Sequence, residues 1–158
     1  MEDDVNIIGL KNLHEFNSGD DVSTALVVSS KQTCGGFEEG DILVITQKII
    51  SKVENCVVDL RTVCPDKESL NLARRTRKDP RLVQLILRES KRIIRVEEER
   101  GIIITETKHG FICANAGIDS SNVPGNDFVA TLPTDSNKIL TLALCSLRQI
   151  YTFMLGFP

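Results

Sequence analysis

Histidine is scarce in this chain. There are two in 158 residues, His14 and His109, and no Ser–His–Asp arrangement can be read from their spacing. The phosphate loop G-x-x-x-x-G-K-[ST] is missing, and so is the dinucleotide fingerprint G-x-G-x-x-G. A basic excess is missing too: 19 Lys and Arg stand against 22 Asp and Glu, for a net charge of −3. That balance leaves no electrostatic footprint for nucleic acid. Basic residues do gather between Arg74 and Arg100, but Glu89, Glu97, Glu98 and Glu99 answer them, which predicts a solvated helical face rather than a polyanion site. The five cysteines (Cys34, Cys56, Cys64, Cys113 and Cys145) form no C-x-x-C pair, their number is odd, and the chain is too large for a disulfide scaffold. The opening "MEDDVNIIGL" is acidic where a secretory signal is basic and then apolar, so a reducing cytoplasm is the expected setting. Neither a repeat nor a low-complexity tract is visible.

What is present describes an ordinary globular protein. Hydrophobic residues make up 41 % and charged residues 26 %, and the length suits one domain with a real core. "VNIIGL" reads as a short strand ending at Gly9. "GDDVSTALVVSS" carries acids ahead of an apolar run, the chemistry of a helix start. "CGGFEEGD" is a turn. Ile42 to Ile45 and Val53 to Leu60 read as two buried strands separated by the polar interruption "TQK". From Pro65 to Arg95 the pattern is helical, with Asp79 as N-cap, Pro80 at the first helical position, and Leu82, Leu85, Ile86 and Ile93 at helical spacing. "GIIITETKHGFICANAG" predicts a hairpin: Ile102 to Glu106, a turn at Lys108-His109-Gly110, then Phe111 to Ala114. Cys113, between Ile112 and Ala114, reads as a small buried hydrophobe rather than a catalytic thiol.

The last twenty residues, "ILTLALCSLRQIYTFMLGFP", are almost wholly apolar. Three readings fit them: a buried terminal helix, a non-native or frame-shifted end, or a membrane span. Arg148 near the middle weighs against the last.

Two stretches are chemically loaded. In "TQKIISK", the residues Thr46, Gln47, Lys48, Ser51 and Lys52 follow directly from an apolar strand, and the carboxyl ends of strands are where many α/β ligand sites form. A lysine there suits a phosphate as a point charge; a plain exposed connection explains the composition equally. In "NAGIDSSN", Asp119 offers a hard oxygen suited to Mg²⁺ or Mn²⁺, Asn115 and Asn122 offer amides, and Gly117 permits close approach of the backbone. The competing reading is a turn-rich loop with Asx caps.

Three blocks, "GDILVITQKIISKVEN", "KDPRLVQLILRES" and "ETKHGFICANAGIDSSNVPG", resemble the coenzyme F420:L-glutamate ligase family, the F420-0:gamma-glutamyl ligases. The resemblance runs from about Val5 to about Asn137. It implies an α+β fold, a mixed or antiparallel sheet with packed helices forming the first part of the gamma-glutamyl ligase fold. It also implies a GTP-dependent ligase that adds L-glutamate by amide bonds to the cofactor precursor F420-0. Mg²⁺ or Mn²⁺ would serve as metal and K⁺ as a further cation, in a cytoplasmic homodimer with neither nucleic acid nor membrane as partner. Matched position by position, Asp119 corresponds to the family's metal-binding aspartate and Asn122 to a nucleotide-contacting asparagine. Lys52 corresponds to the nucleotide-binding lysine, Gln47 to a polar nucleotide contact, and Leu10 to the start of the nucleotide-binding loop. His109 matches a common family residue with no catalytic role assigned to it. The loop "GLKNLHEFNSGDD" is longer than the family pattern and lacks its usual proline. The family's second metal motif, of the Asp-Thr-x-Gly-Arg type, has no match. The expectation is therefore a ligase-like domain over residues 1–138 and a divergent apolar tail over 139–158. The alternative is a truncated, non-catalytic nucleotide-binding remnant of the same family.

Overall fold

Three of the four α-helices among the described residues start on a capping aspartate. Asp21 accepts a hydrogen bond from the Thr24 backbone and opens α1, Val22–Cys34. Asp66 does the same through Ser69 for α3, Lys67–Thr76, and Asp79 through Arg81 for α4, Pro80–Arg88. Each such cap satisfies an otherwise orphaned N–H and contributes about 1 kcal/mol. The expected start of α4, with Asp79 as cap and Pro80 just inside, is what forms.

The computed structural model describes residues 5–121, 123 and 125–134, and the backbone of 151–155. These residues belong to two units, one ending at Asn55 and resuming in the C-terminal segment, the other spanning Cys56–Thr134.

In the first unit, β1 (Ile42–Thr46) runs directly into the short helix α2 (Gln47–Val53). Thus the polar "TQK" begins a helix, and the strand expected from Val53 is shorter and later. The alternation of β1 turns Leu43 and Ile45 inward, where they pack with Phe16, Val22, Leu26 and Ile50. Ile45 and Ile50 are almost completely buried, each worth about 2–3 kcal/mol of transfer free energy. β1 pairs in parallel with β7 (Tyr151–Leu155), Ile42 opposite Tyr151 and Thr46 opposite Leu155. The described part of the apolar C-terminal segment is therefore a strand rather than a helix, its backbone groups paired with β1 instead of within a coil. "VNIIGL" forms no strand: residues 5–10 have no regular structure, and Val5 and Ile7 are 85 % and 90 % exposed. An alternating pattern becomes a strand only when a neighbouring strand takes up its N–H and C=O groups.

In the second unit, β2 (Val57–Asp59) leads into a 3₁₀ turn, Leu60–Thr62, and pairs antiparallel with β6 (Phe128–Ala130). α3 and α4 follow, and then β3 (Ser90–Glu97), β4 (Ile102–Thr107) and β5 (Ile112–Ala114) form an antiparallel sheet in the order β3-β4-β5. The β4–β5 hairpin forms as expected. Ile93 does not continue α4; it lies in β3 opposite Thr105. Its spacing from Leu82 and Ile86 fits a helix by coincidence, but the β-branched pair Ile93–Ile94 finds a ladder partner in β4. The basic stretch is thus spread over two helices and a strand. Its charges pair as Arg75–Glu98 at 2.7 Å, Lys108–Glu89 at 3.2 Å and Arg92–Glu106 at 2.7 Å, with Arg95 against Glu97. One core joins Leu72, Ala73, Val83, Ile86, Ile103 and Ala116; a second joins Leu60, Val63, Leu85 and Val129. At the β3–β4 turn, Gly101 has φ +62°, and a Cβ there would come 2.6 Å from the Thr76 carbonyl oxygen, so only glycine closes that turn against α3. Among the described residues, parallel and antiparallel pairings with four helices make this the mixed α+β fold expected from the sequence.

Candidate functional site

The residues singled out in the sequence fall in both units. Gln47 and Lys52 share α2, which begins where β1 ends. Five residues apart, they project about 140° from one another around the helix. Gln47 is buried, and its amide Nε2 donates to Ser51 Oγ at 2.6 Å, one turn further along. Lys52 keeps only 15 % of its side chain exposed, and its Nζ lies 2.9 Å from Glu15 Oε1. The ammonium holds the Glu15 carboxyl below the usual glutamate range, first by hydrogen bonding and then by charge. Leu10 packs against the core of this unit.

The loop after Leu10 is fastened at several points. Lys11 N–H donates to Thr33 Oγ1 at 3.1 Å, and Ser29 Oγ donates to the Lys11 carbonyl at 2.6 Å, tying the loop to α1. Phe16 is sunk in the core, and Gly19 N–H donates to the Val53 carbonyl at 3.1 Å. His14 Nε2 stands 3.1 Å from Asp20 Oδ2, and the ring of His14 lies 4.7 Å from that of Phe16. The Asp20 carboxyl is lowered, chiefly by the Asn17 N–H and then by His14.

In the second unit the chain leaves β5 through a 3₁₀ turn at Asn115–Gly117 in which three successive residues have positive φ: 51°, 55° and 69°. The Asn115 carbonyl accepts from Ile118 N–H at 3.0 Å, and Ala116 is buried in the core. Asp119 then exchanges both backbone hydrogen bonds with Ala130, at 2.9 and 2.8 Å, an antiparallel bridge that closes the loop between them. Its carboxylate Oδ1 accepts from both the backbone N–H and the hydroxyl of Ser121, each at 2.8 Å. Near the far end of the loop, the Asp127 carbonyl accepts from Leu60 N–H at 2.7 Å, and Asp127 Oδ1 lies 3.1 Å from Arg81. Arg81 also grips Asp79 at 2.6 Å, so the cap of α4 and the end of this loop share one guanidinium. Sequence reading missed this brace and the Glu15–Lys52 pair alike, since no local pattern signals partners 46 or 37 residues apart.

Asn122 lies outside the described residues. His109 sits exposed in the β4–β5 turn, its ring 6.5 Å from that of Phe111. Cys113 is buried as expected, and burial pushes its thiol up, away from thiolate chemistry. Among the described residues no group of three His, Cys, Asp or Glu side chains comes together. A hard dication takes about six oxygen ligands. Asp119 and its neighbours therefore do not by themselves fit a complete metal centre. Among the described residues no helix is long and apolar enough to cross a membrane.

The architecture is that of an α+β protein with a largely buried lysine in the last turn of the short helix that follows β1, and a carboxylate at the base of a pinned loop. The chain belongs to the F420-0:Gamma-glutamyl ligase family, whose model matches residues 11–150. It is 42 % identical over 146 residues to a coenzyme F420:L-glutamate ligase of Methanothermobacter thermautotrophicus, covering 92 % of this chain and 56 % of that protein. A protein of the same name from Methanocaldococcus jannaschii is 44 % identical over 119 residues, 75 % of this chain and 45 % of its own length. A third, from Methanopyrus kandleri, is 41 % identical over 120 residues, 76 % of this chain and 44 % of its own. The chain spans about half the length of the curated relatives it matches.

Proposed function

We propose that this chain carries the nucleotide-binding part of a GTP-dependent ligase that joins L-glutamate to F420-0 by an amide bond. The observation that supports this most is the 42 % identity to a coenzyme F420:L-glutamate ligase across nearly the whole chain. In this reading the acceptor carboxylate attacks the γ-phosphorus of GTP and GDP departs. The glutamate amine then displaces phosphate from the acyl phosphate, losing a proton as the amide forms. Such chemistry needs positioning and charge stabilisation more than a protein nucleophile, which suits a chain with few histidines. Lys52 would face the phosphates as a point charge. Gln47, Asn122 and the loop from Leu10 would contact the nucleotide. Asp119 would give one oxygen to a Mg²⁺ or Mn²⁺ ion, with K⁺ as a further cation and the other ligands drawn from outside the described residues. When bound, the dication would offset charge on the triphosphate. A cytoplasmic homodimer completes the proposal, with neither nucleic acid nor membrane as partner.

A second reading, nucleotide binding without turnover by this chain, is favoured by the fact that among the described residues no group of three His, Cys, Asp or Glu side chains that could hold a metal ion comes together. One experiment separates the two: incubate the purified chain with Mn²⁺, GTP, L-glutamate and F420-0, and follow GDP and glutamylated product by mass spectrometry. Product supports the ligase. GTP binding with no product supports the second reading, and no GTP binding removes both.

A further inference from the structure

The first unit holds a pair whose two members differ sharply. Lys52 is largely buried and anchored on α2, while Glu15 is 77 % exposed on a loop. The ammonium of this largely covered side chain, 2.9 Å from Glu15 Oε1, has that carboxylate as its counter-charge. A buried carboxylate would supply it permanently; an exposed one can swing into water at little cost, because it is already solvated. Glu15 nevertheless stays within reach, since its neighbour Phe16 is fixed in the core and the loop is tied back at Gly19 to Val53, the residue after Lys52.

We infer that Glu15 is a stand-in anion that occupies Lys52 until a nucleotide phosphate replaces it, and so sets the affinity of the site. This rests on the reading of Lys52 as the phosphate lysine. The exchange is simple: the Nζ–Oε1 contact breaks, the carboxylate turns to water, and a phosphate oxygen takes its place beside the ammonium. A triphosphate displaces the carboxylate because it brings more negative charge to the same point.

The test is calorimetric titration of the full chain with GTP and Mn²⁺ at low salt, for wild type, Glu15→Gln, Lys52→Ala and the double variant, with far-ultraviolet circular dichroism confirming that all four fold. Glu15→Gln should tighten GTP binding about twofold to fivefold, the range for releasing an exposed ion pair. The gain should vanish when Lys52 is already alanine. Tightening that persists in the Lys52→Ala background would mean that Glu15 repels the triphosphate directly, and would overturn the stand-in role. Unchanged or weaker binding in Glu15→Gln, with binding lost in Lys52→Ala, also overturns it but leaves Lys52 as the phosphate lysine. Equal GTP binding by Lys52→Ala and wild type, or none by any variant, removes both.

Discussion

Gly117 lies directly against Leu132: a Cβ at position 117 would come 2.9 Å from Leu132 Cδ2 and 3.1 Å from Cγ, on a backbone with φ +69°. Two costs therefore add at one position, the left-handed strain of a side chain and a collision with a buried neighbour. Gly117→Ala is expected to destabilise the protein by about 2–4 kcal/mol. Urea unfolding followed by circular dichroism measures this, and a loss under 1 kcal/mol would show that Leu132 moves aside freely.

Asp119→Asn keeps the backbone bridge to Ala130, because that bridge uses only N–H and C=O groups. The fold should survive, with a change in stability under about 1 kcal/mol. If Asp119 serves as proposed, Mn²⁺-dependent GTP binding falls at least tenfold, while any metal-free binding is unaffected. Titration of the variant with and without Mn²⁺ decides the matter; equal Mn²⁺ enhancement in variant and wild type would remove Asp119 from the metal.

The caps make stability depend on pH. The carboxyls of Asp21, Asp66 and Asp79 are all held below the ordinary 3.8, through hydrogen bonds with Thr24, Ser69 and Arg81 respectively. A carboxylate with a depressed folded pKa binds protons more readily in the unfolded chain. Its contribution is therefore complete above the unfolded pKa and disappears as pH falls through the folded one. The urea midpoint should stay level from neutral pH down to roughly 5 and then drop through pH 4 and below. Asp79→Asn, which retains capping but not the charge facing Arg81, should flatten part of that acid limb.

Cysteine accessibility gives a chemical check on the packing. Cys34 and Cys64 are exposed, whereas Cys56 and Cys113 are buried and the Cys113 thiol is shifted upward by its surroundings. Brief alkylation with iodoacetamide in the native state should label Cys34 and Cys64, with Cys56 and Cys113 reacting only in denaturant. Rapid native labelling of Cys113, read by peptide mass spectrometry, would contradict a closed β4–β5 sheet.

What the sequence determined by itself is what neighbouring residues decide among themselves. Asp79 caps α4 through a hydrogen bond to Arg81, two residues on, and Pro80 presets the backbone between them, so the start of that helix could be read from "KDPR" alone. The β4–β5 hairpin was legible for the same reason, since its turn at Lys108–Gly110 is closed locally by the Gly110 N–H on the Thr107 carbonyl. Tertiary structure decided everything that depends on a distant partner. Ser90–Glu97 becomes a strand because β4 lies beside it, and "VNIIGL" fails to become one though its pattern is as good. The same holds for chemistry: that Lys52 meets Glu15 and that Asp119 is locked to Ala130 depend on how the chain returns upon itself. Caps and turns are settled by bonds spanning a few residues, whereas ladders and ion pairs require chain closure over tens of residues, and no short window of sequence contains both ends.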